Sequence, residues 1–335
     1  MIVSVICPCR NEIGYVDAFL CALGYQQTHG FELEVIVADG ESNDGTASVL
    51  KASSARDKRI KVISNPNRVV STGLNNAIKL ASGEIIVRMD VHTEYADDYV
   101  AQCVRQLQKT GATCVGGPWL AKGNSPRQKA IAAAFGSVFG SGWAKSRLSD
   151  YAGLVDTVYL GAWKRDDLIA LGGFDEELAR NQDDELCLRI ARSGGKVWQS
   201  PTIKSHYIPR DTLLALWRQF YQYGYWKAAI VKKHRVAPSL RALVPPLLCL
   251  ALAILSAVAL VVPQAGIAAV ALILAYVAIA LFAAIRAADR LGGVALIVFS
   301  YMCMHFGYGI GLCHGVLDLI LLQRKANLRM LETSR

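Results

Sequence analysis

Two glycine motifs are missing from this 335-residue chain. No Gly-x-Gly-x-x-Gly follows the first apolar run, which argues against a dinucleotide-dependent dehydrogenase. No Gly-x-x-x-x-Gly-Lys-Ser/Thr occurs either, which argues against a phosphate loop. None of the nine cysteines forms a Cys-x-x-Cys pair, so no zinc site is indicated and all nine read as reduced packing residues. No basic stretch precedes the first apolar run, so no secretory signal is read there and the polar part of the chain is expected in the cytoplasm. Charge is absent altogether from residues 242–262 and 265–285. Each run has about 20 residues, which at about 1.5 Å per residue crosses a hydrocarbon core of roughly 30 Å.

What is present falls into two regimes that change near residue 235. Before it, β-branched runs alternate with helical patterns: strands over 2–7, 34–38, 60–64 and 84–89, helices over 12–26, 46–55 and 72–81. Such alternation makes a parallel sheet with helices on both faces. Residues 116–155 are rich in Gly, Ser and Ala and read as a mobile loop region; a strand returns over 155–160 and a short helix over 183–192. Residues 212–233 form an amphipathic aromatic helix, with Leu213, Trp217, Phe220 and Gly224 on one face and Lys and Arg nearby, as suits a membrane interface.

Lys227, Lys232, Lys233, Arg235 and Arg241 precede the first charge-free run, and Arg286 and Arg290 follow the second, which puts those sides inside. The third apolar stretch, 294–322, holds His305, His314 and several glycines. As one straight span it would send Arg324, Lys325 and Arg329 outside, so a broken or re-entrant segment returning to a cytoplasmic tail, 323–335, is expected. The net charge of +9 then requires no nucleic acid; it suits an anionic leaflet and a phosphorylated substrate.

Ligands of doubly covered parallel sheets bind outside the carboxyl ends of the strands. Three strand ends here carry polar clusters: Pro8-Cys-Arg-Asn-Glu12, Asp39-Gly-Glu-Ser-Asn-Asp-Gly45 and Asp90-Val-His92. Asp90 and His92, two apart along one strand, are expected to point to the same side, and an oxygen and an imidazole there suit a hard divalent cation, Mg²⁺ or Mn²⁺, that shares its shell with substrate phosphates.

Together with Asn75-Asn-Ala-Ile-Lys-Leu-Ala-Ser-Gly-Glu84, Gly172-Gly-Phe-Asp-Glu176 and Gln182-Asp-Asp-Glu-Leu-Cys-Leu-Arg189, these clusters resemble, in order, the motifs of family 2 glycosyltransferases. The resemblance covers roughly residues 1–230. It implies an α/β GT-A fold, Rossmann-like with a mostly parallel sheet, over 1–210. An interface region, 211–241, and transmembrane helices near 242–262, 265–285 and 294–322 would follow. His206-Tyr-Ile-Pro-Arg210, the aromatic stretch 218–226 and the terminal apolar runs are similar to bacterial exopolysaccharide glucosyltransferases of the succinoglycan type. That implies inverting transfer of a sugar, with glucose and a β-linkage expected, from a UDP-sugar to a polyprenyl-diphosphate-linked saccharide at the inner membrane. Membrane lipids and other polysaccharide-assembly proteins are the expected partners.

The resemblance also implies residue roles. Asp39 receives the uracil ring, Glu12 the ribose hydroxyls, Pro8 the base through its backbone, and Arg68 the base or a phosphate. Asp90 holds the cation, while the family's second acidic position is His92 here, a ligand or a lining residue. An acceptor hydroxyl needs a carboxylate to take its proton. Asp183 matches the family's base and Asp184 is its rival; a helix start nearby would lower the carboxyl pKa. Trp163, Phe174, Gln222 and Trp226 are acceptor-side candidates and His206 a diphosphate candidate. Processive synthases carry Gln-x-x-Arg-Trp where this chain has Gln222-Tyr-Gly-Tyr-Trp226, so single-sugar addition is favoured. A polyprenyl-phosphate sugar synthase using Arg210, Arg218 and Lys227, a processive synthase and an inactive scaffold of an export complex stay open as alternatives.

Overall fold

The computed structural model describes residues 1–326. In chain order the elements are β1 (Ile2–Cys9), α1 (Val16–Tyr25), β2 (Glu32–Asp39), α2 (Thr46–Arg56), β3 (Ile60–Ser64), α3 (Val70–Leu80), β4 (Ile85–Arg88), β5 (Thr93–Tyr95), α4 (Tyr99–Thr110), β6 (Cys114–Gly117), β7 (Leu120–Ala121), α5 (Pro126–Gly136), α6 (Val138–Ser141), β8 (Gly153–Leu154), β9 (Tyr159–Lys164), α7 (Arg165–Ala170), α8 (Gln182–Arg192), β10 (Val197–Gln199), β11 (Ser205–Tyr207), α9 (Leu213–His234), α10 (Leu240–Val258), α11 (Pro263–Ala287) and α12 (Val294–Gly315). They form two compact units: Met1–Leu120 with Lys145–Ile208, and Ala121–Ala144 with the described chain after Ile208. The interposed segment 121–144 therefore groups with the later chain, which the linear division at 210 does not anticipate.

The first unit is an eight-stranded sheet in the order β3-β2-β1-β4-β9-β6-β10-β8. β3, β2, β1 and β4 run parallel, and β9 is inserted antiparallel between β4 and β6. Alternate residues of β1 feed two cores: Val3, Val5 and Cys7 pack with Phe19, Val35 and Tyr99, whereas Ile6 packs with Ile36, Leu74 and Ile86. A strand buried on both faces reads as a continuous apolar run, which is why β1 and β2 stand out in the sequence. Beneath the sheet's amino end, the buried Glu34 carboxylate accepts from Ser4 Oγ, from Lys61 Nζ at 2.6 Å and from the Ser82 backbone N–H at 2.9 Å. Gly83 precedes β4 because a Cβ there would lie 2.6 Å from the Ser4 nitrogen.

Three local expectations are corrected. Residues 116–155 are not a loop region: α5 starts at a capping box, Ser125 accepting from Gln128 N–H at 3.1 Å while the Gln128 side chain returns to the cap, with Pro126 in the first turn. The strand expected over 155–160 runs instead over Tyr159–Lys164, where it pairs with β4 and β6. Cys21 is exposed on α1 rather than packed.

The second unit is helical. α9 is capped by Thr212 Oγ1, which accepts from Ala215 N–H at 3.1 Å. Its buried residues are Leu216, Gln219, Gln222, Gly224, Tyr225, Trp226, Ala228 and Ile230; Trp217 and Phe220 are half-buried. α10, α11 and α12 with its extension through Leu321 are each long and apolar enough to cross a membrane. The stretch from Val294 to Leu321 is one continuous helix, finishing in a π-turn over Val316–Leu321, rather than a broken segment. Its glycines do not break it; they admit the backbone of a neighbouring helix. A Cβ on Gly315 would lie 2.6 Å from the Tyr225 carbonyl oxygen, and one on Gly307 3.0 Å from that of Trp217. Its polar residues are satisfied inside the unit, Asp318 by Tyr225 Oη at 2.8 Å and His314 by Tyr221 Oη at 2.6 Å. Most of the expected tail, Arg329 included, lies outside the described residues.

Candidate active site

The carboxyl ends of β2, β1 and β4 form one edge. Cys9 pairs with Asp39, and Ile6 pairs with Arg88, so Asp39 and the segment after Arg88 stand on that edge two strands apart, about 10 Å at about 4.8 Å per strand. Pro8 sits opposite Ala38 at the same end of β1. Asp39 accepts from Ser42 Oγ at 2.6 Å, which closes the acidic loop behind β2. Arg68, with a positive φ of 58°, places its guanidinium on Glu41 of that loop. Asp44 accepts from Thr46 N–H at 3.0 Å and Ile13 N–H at 3.1 Å, tying the β1 and β2 loops together.

Glu12 and His92 meet across the edge, Oε1 to Nδ1 at 2.9 Å, with Glu12 buried. The His92 ring stands edge-on to Tyr207 at 5.9 Å, and Tyr207 continues into Tyr159 and Trp119, whose rings stack at 5.7 Å. The backbone of Asp90 is clamped by Tyr95 Oη, 2.6 Å from its nitrogen and 3.0 Å from its oxygen.

A buried cation lies at the centre. Arg88 is 4% exposed, and its Nε and Nη2 reach the two carboxylate oxygens of Asp90 at 2.9 and 3.0 Å. Its Nη1 bonds Asp183 at the start of α8. The guanidinium lies 5.9 Å from the Phe174 ring centre. Asn75 of α3 fixes that ring's backbone, accepting from Phe174 N–H and donating to its carbonyl, both at 2.8 Å. The Asn75 motif and the Gly172–Glu176 motif, almost a hundred residues apart, thus build one floor.

Burial pushes the Asp183 carboxyl up to about 6; Arg88 opposes that rise, and Asp90 and Asp184 add to it. The expected lowering at a helix start is therefore outweighed by desolvation. Asp184 is half-buried in the same first turn.

Several expected site residues lie elsewhere. Trp163 is 2% exposed, packed edge-on against Phe174 in the core below the sheet, so neither ring is an open acceptor platform. β9 turns Trp163 to the core cluster that also holds Leu74 and Ile78 of α3 and Leu186 and Ile190 of α8. His206 and Tyr207 are consecutive in a strand and point to opposite faces; Tyr207 takes the His92 side. His206 instead lines a cavity of about 570 Å³ with Asp98, Pro118, Ser149 and Lys204, which none of Asp39, Asp90 or Asp183 lines. Gln222 and Trp226 are buried in the helical unit.

Among the described residues, no three His, Cys, Asp or Glu side chains assemble a complete metal site. β4 ends at Arg88 and residues 91–92 form a turn, so Asp90 and His92 are not held to one side by a continuing strand as expected; a cation drawing on the Asp90 carboxylate and the His92 imidazole would have to share the Asp90 oxygens with Arg88 and take its remaining ligands from a diphosphate. Arg88 is the residue the motif reading missed. Its signal was a lone charge in an otherwise apolar strand, which must be paired if buried.

The family model described as glycosyl transferase family 2 matches residues 4–155. Over 243 residues the chain is 32% identical to the succinoglycan biosynthesis protein ExoA of Rhizobium meliloti (strain 1021), covering 72% of this chain and 73% of that protein. The chain belongs to glycosyltransferase family 2. This glycosyltransferase is also 24% identical over 242 residues to a dolichyl N-acetyl-alpha-D-glucosaminyl phosphate 3-beta-D-2,3-diacetamido-2,3-dideoxy-beta-D-glucuronosyltransferase of Methanococcus voltae, covering 69% of this chain and 74% of that one. In fold it is similar to the mannosyltransferase PcManGT of Pyrobaculum calidifontis, solved with GDP-Man and Mn²⁺ (TM-score 0.58, 22% identity, 94% of this chain and 86% of that one). The glycosyltransferase thus has the GT-A fold, followed by three helices able to cross a membrane.

Proposed function

We propose that this glycosyltransferase moves a sugar, glucose by preference, from a UDP-sugar to a polyprenyl-diphosphate-linked saccharide, with inversion to a β-linkage, during exopolysaccharide assembly. The observation that carries the reading is the pair of carboxylates on Arg88: Asp90 at the donor strand end and Asp183 at the start of α8. Similarity to a succinoglycan biosynthesis protein supports the pathway, and the Methanococcus relative is named for β-transfer onto a sugar carried by a lipid phosphate.

Asp39 with the loop it closes and the Pro8 backbone receive the base, Glu12 the ribose, and Arg68 stands at the rim. Asp90 and His92 Nε2 would hold a divalent cation, with Glu12 orienting the ring from Nδ1 in the manner of a carboxylate–histidine–metal relay. When bound, that cation neutralises charge on the departing diphosphate. The Asp183 carboxylate takes the acceptor hydroxyl proton as the oxygen attacks the anomeric carbon. The bond from that carbon to the β-phosphate oxygen breaks, and its electrons leave with UDP. Attack opposite the leaving group inverts the centre, and no second carboxylate nucleophile is needed. α9 and the three apolar helices would hold the catalytic unit at the cytoplasmic face of the bacterial inner membrane, where the lipid-linked acceptor lies.

Purified full-length protein with a panel of UDP-sugars, offered separately a polyprenyl-diphosphate saccharide and a polyprenyl phosphate, tests this. Cation-dependent UDP release with the saccharide acceptor is expected. Transfer to the bare lipid phosphate alone would make the chain a lipid-phosphate sugar synthase instead.

A further inference from the structure

We infer that Arg88 is a positioning residue that couples the two ends of the site: it bridges Asp90 and Asp183, and it releases Asp90 while keeping Asp183 when a divalent cation and a nucleoside diphosphate bind. The inference rests on the reading of Asp90 as donor-side ligand and Asp183 as base.

The geometry is that of a shared fork. Two adjacent N–H groups of Arg88 cover both oxygens of Asp90, and the third nitrogen turns to Asp183. A guanidinium can do this because its donors are fixed in one plane; an ammonium presents a single point. A cation that takes Asp90 competes for the oxygens Arg88 already occupies. Two positive groups on one carboxylate, a few ångströms apart in a poorly hydrated pocket, repel strongly.

Which partner moves is decided by the surroundings. The Asp90 backbone is anchored, because Tyr95 Oη accepts from its N–H and donates to its carbonyl, which limits how far Asp90 can follow Arg88. Arg88 has somewhere to go: its guanidinium lies over the Phe174 ring, so it can turn toward Asp183 without leaving its floor. One positive charge against two carboxylates also leaves the buried cluster net negative, which favours entry of a cation over ejection of Arg88. Once Asp90 is surrendered, the hydrogen-bonding capacity of Arg88 falls to Asp183. The base, already bonded to Arg88, then becomes its one remaining carboxylate partner in this pair.

Two experiments decide it. The first is a structure of the wild-type chain with Mn²⁺ and UDP. The expected result is Mn²⁺ on Asp90, at least one of the two Arg88–Asp90 hydrogen bonds broken, and the Arg88–Asp183 bond kept. Mn²⁺ on Asp90 with both Arg88–Asp90 bonds intact overturns the coupling alone; UDP and Mn²⁺ bound away from Asp90 overturn the site reading with it. The second uses Arg88→Lys in the full chain. Its Mn²⁺–UDP affinity by calorimetry is expected to tighten at least about threefold, because a lysine competes less well for the Asp90 oxygens, while kcat falls about 100-fold. Arg88→Lys combined with Asp183→Asn should be no slower than Asp183→Asn alone. Equal losses in donor affinity and kcat, or multiplying losses in the double variant, would refute the inference. Should Arg88→Lys fail to fold by circular dichroism, the wild-type complex decides.

Discussion

Glu12 Oε1 lies 2.9 Å from His92 Nδ1, joining the polar segment after β1 to the one after β4. A residue expected to meet ribose and a residue expected to meet metal are therefore mechanically one unit. Glu12→Gln should weaken Mn²⁺ binding in the presence of UDP by about 10–100-fold, because a metal-bound imidazole depends on its carboxylate partner for orientation. Calorimetric titration with Mn²⁺ checks it; unchanged affinity would remove His92 from the cation's shell.

Asp183→Asn should lower transfer at least about 100-fold, the usual cost of deleting a general base. The loss should appear in kcat, with UDP–Mn²⁺ affinity nearly unchanged. Near-normal transfer would pass the role to Asp184.

The pH profile follows from the environment of Asp183, whose carboxyl is pushed up to about 6 by burial. A base works ionised, so kcat/KM should rise with pH through about 6 and level off above about 7, losing about tenfold per unit below about 5. An acid limb at the ordinary carboxylate value, near 4, would contradict this assignment.

Glu34 carries a separate prediction, about stability. Burial alone would raise its carboxyl, but Lys61, Ser4 and the Ser82 N–H outweigh it and hold the group down to about 2. The unfolded value is near 4.3, so the contribution is complete above that pH and is lost as pH falls through about 2. Glu34→Gln should cost about 1–3 kcal/mol at neutral pH, with the gap closing in acid. Denaturant unfolding at several pH values measures it; a pH-independent difference counts against the ion-pair account.

Gly224 of α9 tests the helical unit. A Cβ there would meet the Leu312 nitrogen at 2.6 Å, so α9 and α12 touch backbone to backbone. Gly224→Val should force them apart at a cost of about 1–3 kcal/mol. A thermal midpoint in detergent equal to wild type would mean the contact is dispensable.

Much of the architecture is legible in short windows of sequence. Continuous apolar runs mark β1 and β2, and Thr46 and Thr212 sit at helix starts where they were expected. α5 was legible too, since Ser125-Pro-Arg-Gln128 is a capping signal, but small-residue composition masks it. The glycines of α12 misled for a related reason: in water they read as breakers, whereas between packed helices they are contact points.

Strand–helix alternation, the three apolar stretches and the motif order are written in the chain itself, because propensity and hydrophobic period act over a few residues at a time. Packing in three dimensions settles that Trp163 faces the core, that His206 turns away from Asp90, and that one arginine binds both Asp90 and Asp183, the latter across 95 positions of chain. Those outcomes depend on which strands become neighbours and which face each presents. A buried charge finds its partners only when the sheet closes around it.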